Sequence, residues 1–139
     1  MYLNKKMQSI VNMLSQDSYF DNVKIIKAYP DVSKPTRLRQ TVICVLPSEM
    51  DAENISVGNA CLYGRYSVCI DAFVPQNFGS PCVQTVIEHV VDALKGEMPC
   101  GIKVSPIRVN HSLFCYSVSC CLTFCGEINF KGDDNDDNK

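Results

Sequence analysis

The stretch from Tyr66 to Gly96 constrains the fold more than any other part of the chain. Tyr66-Ser-Val-Cys-Ile-Asp-Ala-Phe-Val74 is rich in β-branched and aromatic residues and reads as a strand. Pro75 to Pro81 reads as a turn ending in a helix start, with Ser80 at the N-cap and Pro81 at the first helical position. Val83, Val86, Ile87, Val90, Val91 and Leu94 then recur on a 3.6-residue period as one apolar stripe. Lys95 in the last turn and Gly96 after it supply the stop. A strand running into a one-sided helix predicts a sheet with that helix packed on one face.

The rest of the chain supplies the other pieces of such a sheet. Leu3, Met7, Ile10, Val11 and Leu14 share one helical face, so an amphipathic helix opens the chain and gives out at Ser15 to Ser18. Phe20 to Tyr29 reads as a first strand stopped at Pro30, and Gln40 to Leu46 as a second ended by Pro47. Residues 47–58 are polar and acidic without a period, and read as an extended loop or loose hairpin arm. The third strand starts near Ala60 and continues through Val74, with Gly64 placed to mark a bulge. Ile102 to Val109 is a strand whose Pro106 argues for an edge or a bulge. The closing strand has the clearest alternation. Phe114, Tyr116, Val118, Cys120, Leu122 and Phe124 fall on one face, and Ser117, Ser119, Cys121 and Thr123 on the other.

The expected fold is therefore α+β, a single domain over residues 1–130. Its largely antiparallel sheet carries an N-terminal helix and a second helix in the order α-β-β-β-α-β-β. Lys131 to Lys139 has no apolar residue and reads as a disordered acidic tail. With 139 residues the chain has room for one real core and not for two comfortable ones. A net charge of −2 gives no global electrostatic case for nucleic acid. No apolar run approaches the roughly 18–20 residues of a membrane span, and Met1 to Lys6 leads into an amphipathic pattern, not a secretory signal.

Nine cysteines stand at Cys44, Cys61, Cys69, Cys82, Cys100, Cys115, Cys120, Cys121 and Cys125. The odd count and their places within strand and helix patterns predict free, mostly buried thiols in a reducing cytosol. Cys121 and Cys125 share a strand face, but Cys120 and Cys121 point to opposite faces and no Cys-x-x-Cys pair is present. No metal site or other cofactor is expected. Cys82 and His89 lie two helical turns apart, too far for a direct hydrogen bond, and His111 sits in a polar turn. Asp133 to Asp137 resembles a calcium loop only in composition, since it lacks the central Gly and terminal Glu. No Gly-rich phosphate loop is present, and Arg37, Arg39, Arg65 and Arg108 read as a solvated face. No catalytic residues are assigned.

The order and lengths of these elements resemble the tail terminator, or tail-completion, proteins of long-tailed bacteriophages and phage-tail-like particles. The likeness rests on the helix Leu3–Leu14, the strand-to-Pro step Val23–Pro30, the strand and helix Tyr66–Leu94, and the long closing strand Phe114–Phe124. It spans about 120 residues and carries no short ligand motif; the extra strand Ile102–Val109 and the cysteine content depart from the family pattern. The resemblance implies a non-enzymatic virion protein, assembled in the host bacterial cytoplasm. It would form a homo-hexameric ring on the tail tube protein, stop tube growth and face sheath and neck or head connector proteins, without membrane or specific nucleic-acid binding. Arg37, Arg39, Glu49, Asp51 and Glu53 are the residues expected at a ring or tube interface. The alternatives are another head–tail connector or tail component of the same particle, or a small cytosolic thiol- or metal-dependent enzyme.

Overall fold

The computed structural model describes residues 2–27, 38–53 and 62–128. Among these, one sheet of six strands carries two helices, the α+β architecture expected from the sequence. Helix α1 (Tyr2–Gln16) precedes a short strand β1 (Lys24–Ile26) and the long strands β2 (Val42–Glu53) and β3 (Leu62–Pro75). Helix α2 (Ser80–Leu94) follows, then β4 (Gly101–Val104), β5 (Arg108–Asn110) and β6 (Cys115–Ile128). The spatial order is β1-β2-β3-β6-β4, with β5 also on β6. β1 pairs parallel with β2 and every other pairing is antiparallel.

Both helices lie on one face, α1 against β1 and β2, α2 against β3 and β6. Met7, Ile10 and Leu14 of α1 and Val83, Val86, Ile87, Val90 and Leu94 of α2 are buried there. Beneath them sit Ile43 and Val45 of β2, Val68, Ile70, Ala72 and Val74 of β3, and Val118, Cys120, Leu122 and Phe124 of β6. These are the stripes and alternations of the sequence, with Val91 partly buried at the margin. Where α1 meets the end of α2, Lys6 Nζ lies 3.7 Å from Glu97 and 4.7 Å above the Phe124 ring, and Ser9 donates a 2.6 Å hydrogen bond to Glu97.

Local chemistry moved several boundaries. The first strand starts at Lys24 and not Phe20, because Asp17 accepts the Tyr19 N–H at 3.0 Å and winds Ser18–Phe20 into a 3₁₀ turn with Phe20 buried; its expected end, Ala28 to Pro30, lies outside the described residues. Gly79, not Ser80, is the N-cap of α2; its φ of 86° is a conformation that a Cβ would strain, and Ser80 is already helical. The helix stop likewise shifts past Gly96: a 3₁₀ turn, Lys95–Glu97, tightens the end and Met98 takes the left-handed φ of 55°. Phe114 is exposed with φ 53° and does not join the inward face of β6, which begins at Cys115.

Over its described part, the stretch 47–58 takes the hairpin-arm form of the two expected, and Pro47 does not end the second strand. Ser48 to Glu53 are strand, continuing β2 into a hairpin arm with Met50, Asp51, Ala52 and Glu53 opposite Tyr66, Arg65, Gly64 and Tyr63. The bulge lies between Pro47 and Met50, where Ser48 and Glu49 face Ser67 alone, and not at Gly64. Residues 54–58 lie outside the described residues, as do Ala60, Arg37, the Asp31–Pro35 connection and the acidic tail. Pro106 acts as expected: it splits the edge strand into β4 and β5. Ser105 repairs the break, its N–H reaching Ser119 O at 2.8 Å and its Oγ accepting the Ser119 N–H at 2.9 Å.

Candidate functional site on the sheet face away from the helices

The face of the sheet away from the helices is apolar at one end only. Val42, Cys44, Phe73, Leu113 and Cys115 are buried there, with Leu38 tied to Leu113 by a 3.1 Å backbone hydrogen bond. Burial pushes the Cys44 thiol up to about 12, with Asp71 adding to it, and the Cys115 thiol up to about 11. Beyond this cluster the face carries a polar row. Register places Asp71 beside Ser119, Ser67 beside Thr123 and Arg65 beside Cys125. The edge strands bring Lys103 opposite Cys121 and Arg108 opposite Ser117.

Hydrogen bonds tie this row across the strands. Ser119 Oγ donates to Asp71 Oδ1 at 2.6 Å, and the Ser67 and Thr123 hydroxyls lie 3.2 Å apart. Asp71, Phe73, Ser105, Arg108, Ser117 and Ser119 line a depression of about 290 Å³. A second hollow of about 370 Å³ lies along Ser48, Glu49, Ser67, Lys103 and Thr123, under the bulge of β2. The bulge therefore positions Glu49 over the row, opposite the cationic side formed by Lys103.

The row offers hydroxyls, a carboxylate and two cations to a polar partner. It holds no nucleophile–base pair among the described residues. Ser119 is bonded to a carboxylate without a histidine, His89 stacks on Tyr19 at 3.7 Å on the helical side, and His111 lies in the turn beyond β5. No group of three or more His, Cys, Asp or Glu side chains among the described residues is arranged to hold a metal ion.

The cysteines depart from expectation. Cys69 and Cys121, directly opposite on β3 and β6, form a disulfide, and Cys100 and Cys125 are exposed. Cys44, Cys115 and Cys120 are free and buried as expected, Cys82 is half-buried, and Cys61 lies outside the described residues. Cross-strand pairing brought Cys69 and Cys121 together across 52 residues, a juxtaposition that only the register reveals.

Of the residues expected at an interface, Arg37 lies outside the described residues and the other four are spread along the approach to β2 and β2 itself. Arg39 is exposed just before β2, Glu49 sits in the bulge, Asp51 is exposed opposite Arg65, and Glu53 ends the strand. Nine residues of chain lie between Arg39 and Glu49, most of them extended strand. The basic and acidic groups thus occupy opposite ends of β2. Asp71 and Ser105 were not singled out from the sequence, although an acid inside the apolar run Val68–Val74 and a serine before Pro106 were their visible signals. The chain matches no protein-family model and no curated protein.

Proposed function

We propose that the chain is a structural subunit of a phage or phage-like tail: a tail terminator whose homo-hexameric ring caps the tube and offers a joining surface to the neck. The observation that carries this reading is the state of the sheet edges. β4 and β5 form one edge and β1 the other, and no described strand pairs beyond either. Ile102, Val104, Ile107 and Val109 line the β4–β5 edge, 43–46% exposed, beyond the cover of α2. An exposed edge rich in β-branched residues is a hazard for a lone chain, and a neighbouring copy removes it. Two unlike edges on one sheet suit head-to-tail contacts, and such contacts close into a ring when the rotation between copies closes.

The hairpin arm supports the same reading. Met50 and Tyr63 are exposed on it, and it carries acids at the end of β2 remote from Arg39. Opposite charges at opposite ends of one strand favour a head-to-tail approach over a face-to-face one. The polar row provides a second surface, suited to a tube or neck partner.

Native mass spectrometry of the full chain tests the ring. A species of six protomers is expected, and Ile102→Asp with Val104→Asp should reduce it to monomer with an unchanged circular dichroism spectrum. A protein that stays monomeric at every concentration overturns the proposal. A ring unaffected by the edge variant removes the β4–β5 edge from its interface.

A further inference from the structure

The cysteines outside the core hold a chemistry that the ring does not require. Cys100 and Cys125 are both exposed, and their Sγ atoms lie 2.7 Å apart, within about 1 Å of a disulfide bond length. Two independent backbone constraints hold them there. The Cys100 N–H donates to Thr123 O at 2.8 Å, immediately before β4 joins β6 at the Gly101–Thr123 pair. Cys125 is fixed within β6 by its pairing with Arg65 of β3. The sulfurs therefore meet because the ladder places them together. The hydrogen bond with Cys125 holds the Cys100 thiol above its ordinary value, with desolvation adding to it, while the Arg65 guanidinium pulls the other way.

We propose that Cys100 and Cys125 form a thiol–disulfide exchange site that low-molecular-weight disulfides oxidise to an intramolecular bond. One thiolate attacks a sulfur of the oxidant RSSR, forming a mixed disulfide and releasing RS⁻. The second thiolate then attacks the protein sulfur of that mixed disulfide and releases the other RS⁻. Two protein thiols and RSSR thus give one protein disulfide and two RSH, with two electrons passing to the oxidant. Among the described residues this pair alone brings two exposed thiols together, and half-buried Cys82 lies apart on α2. Cys44, Cys115 and Cys120 are buried and protonated, and Cys69 and Cys121 are already joined. Closure ties the start of β4, and with it the exposed Ile102–Val109 edge, to the end of β6. Oxidation would then set how firmly that edge is held.

The test equilibrates the full chain in glutathione buffers of increasing oxidised fraction, followed by acid quench, alkylation and peptide mapping. The expected result is a reversible Cys100–Cys125 cross-linked peptide with a mass loss of about 2 Da from the dithiol form. Cys100→Ser and Cys125→Ser should each instead trap one glutathione on the remaining partner. A trivalent arsenical, phenylarsine oxide, should bind the reduced wild-type chain one to one and block closure, a readout that needs no variant. Pairing of either cysteine with a different one, or two separate glutathione adducts without closure, overturns the proposal. So does failure of the arsenical to protect these two thiols.

Discussion

The two faces of β6 are made by the same fourteen residues and have opposite physical characters. Val118, Cys120, Leu122 and Phe124 point toward the helices and are buried, while Ser117, Ser119, Cys121 and Thr123 on the other side remain partly open. On the covered face each side chain is held by apolar neighbours from β3 and α2. On the other, cross-strand bonds between Ser119 and Asp71, Ser67 and Thr123, and Cys69 and Cys121 replace packing. The difference teaches where stability and recognition are separated. The face under the helices tolerates little change, whereas the polar row on the other presents groups that water or a partner satisfies.

The largest expected effect lies on the covered side. Val90 is fully buried in the middle of the α2 stripe, and Val90→Asp places an unpaired charge there. Leaving a charge buried and unpaired costs about 3–5 kcal/mol, against a domain stability of about 5–15 kcal/mol. The variant should be mostly unfolded or insoluble, read by circular dichroism and urea melts. A normally stable Val90→Asp protein would mean that the contrast between the faces is not energetic.

A second test uses the buried thiols. Burial raises Cys44 to about 12 and Cys115 and Cys120 to about 11, above the ordinary thiol value of 9.0. Above pH 9 the unfolded chain loses these protons while the folded one keeps them, so stability is full below pH 9 and falls as pH rises. At about 1.4 kcal/mol per unit for each thiol, the three together remove roughly 4 kcal/mol between pH 8 and pH 10. Urea melts of the wild type should show that fall in excess of the Cys44→Ala, Cys115→Ala, Cys120→Ala variant. Equal pH profiles would mean that the three sites are hydrated.

The covered face was the legible one. Its stripes in α1, α2 and β6 are periodic, and burial obeys period, so Ile10, Val83, Val90 and Leu122 could be placed from spacing alone. Pro106 announced its edge because a missing N–H is a local property. The face away from the helices depends on register. Nothing near Cys69 names Cys121 as its partner, and nothing near Asp71 names Ser119; both follow from how β3 slides against β6. The bulge at Ser48–Glu49 hid the arm for a related reason: two residues opposite one break the alternation that would have identified the strand.

The smallest expected effect belongs to the polar row itself. Ser119 is partly exposed, its Oγ donates to Asp71 at 2.6 Å, and its backbone N–H is separately satisfied by Ser105. Ser119→Ala removes the bond to Asp71 and a weaker 3.6 Å contact of the hydroxyl with Cys121 Sγ, and a hydrogen bond to a charged group contributes about 1.5–3 kcal/mol when desolvated. Water reaches the Asp71 carboxylate through the adjoining depression, so the loss should be at the low end, about 1.5 kcal/mol. The β3–β6 ladder needs neither hydroxyl nor carboxylate, so the cysteine pairing across it should survive. Urea melts measure the first expectation and disulfide mapping the second. A loss as large as that of Val90→Asp would show that the row is structural cement and move the partner-binding surface elsewhere. A small loss with Cys69–Cys121 intact keeps the division between the faces and leaves the row available for contact with another protein.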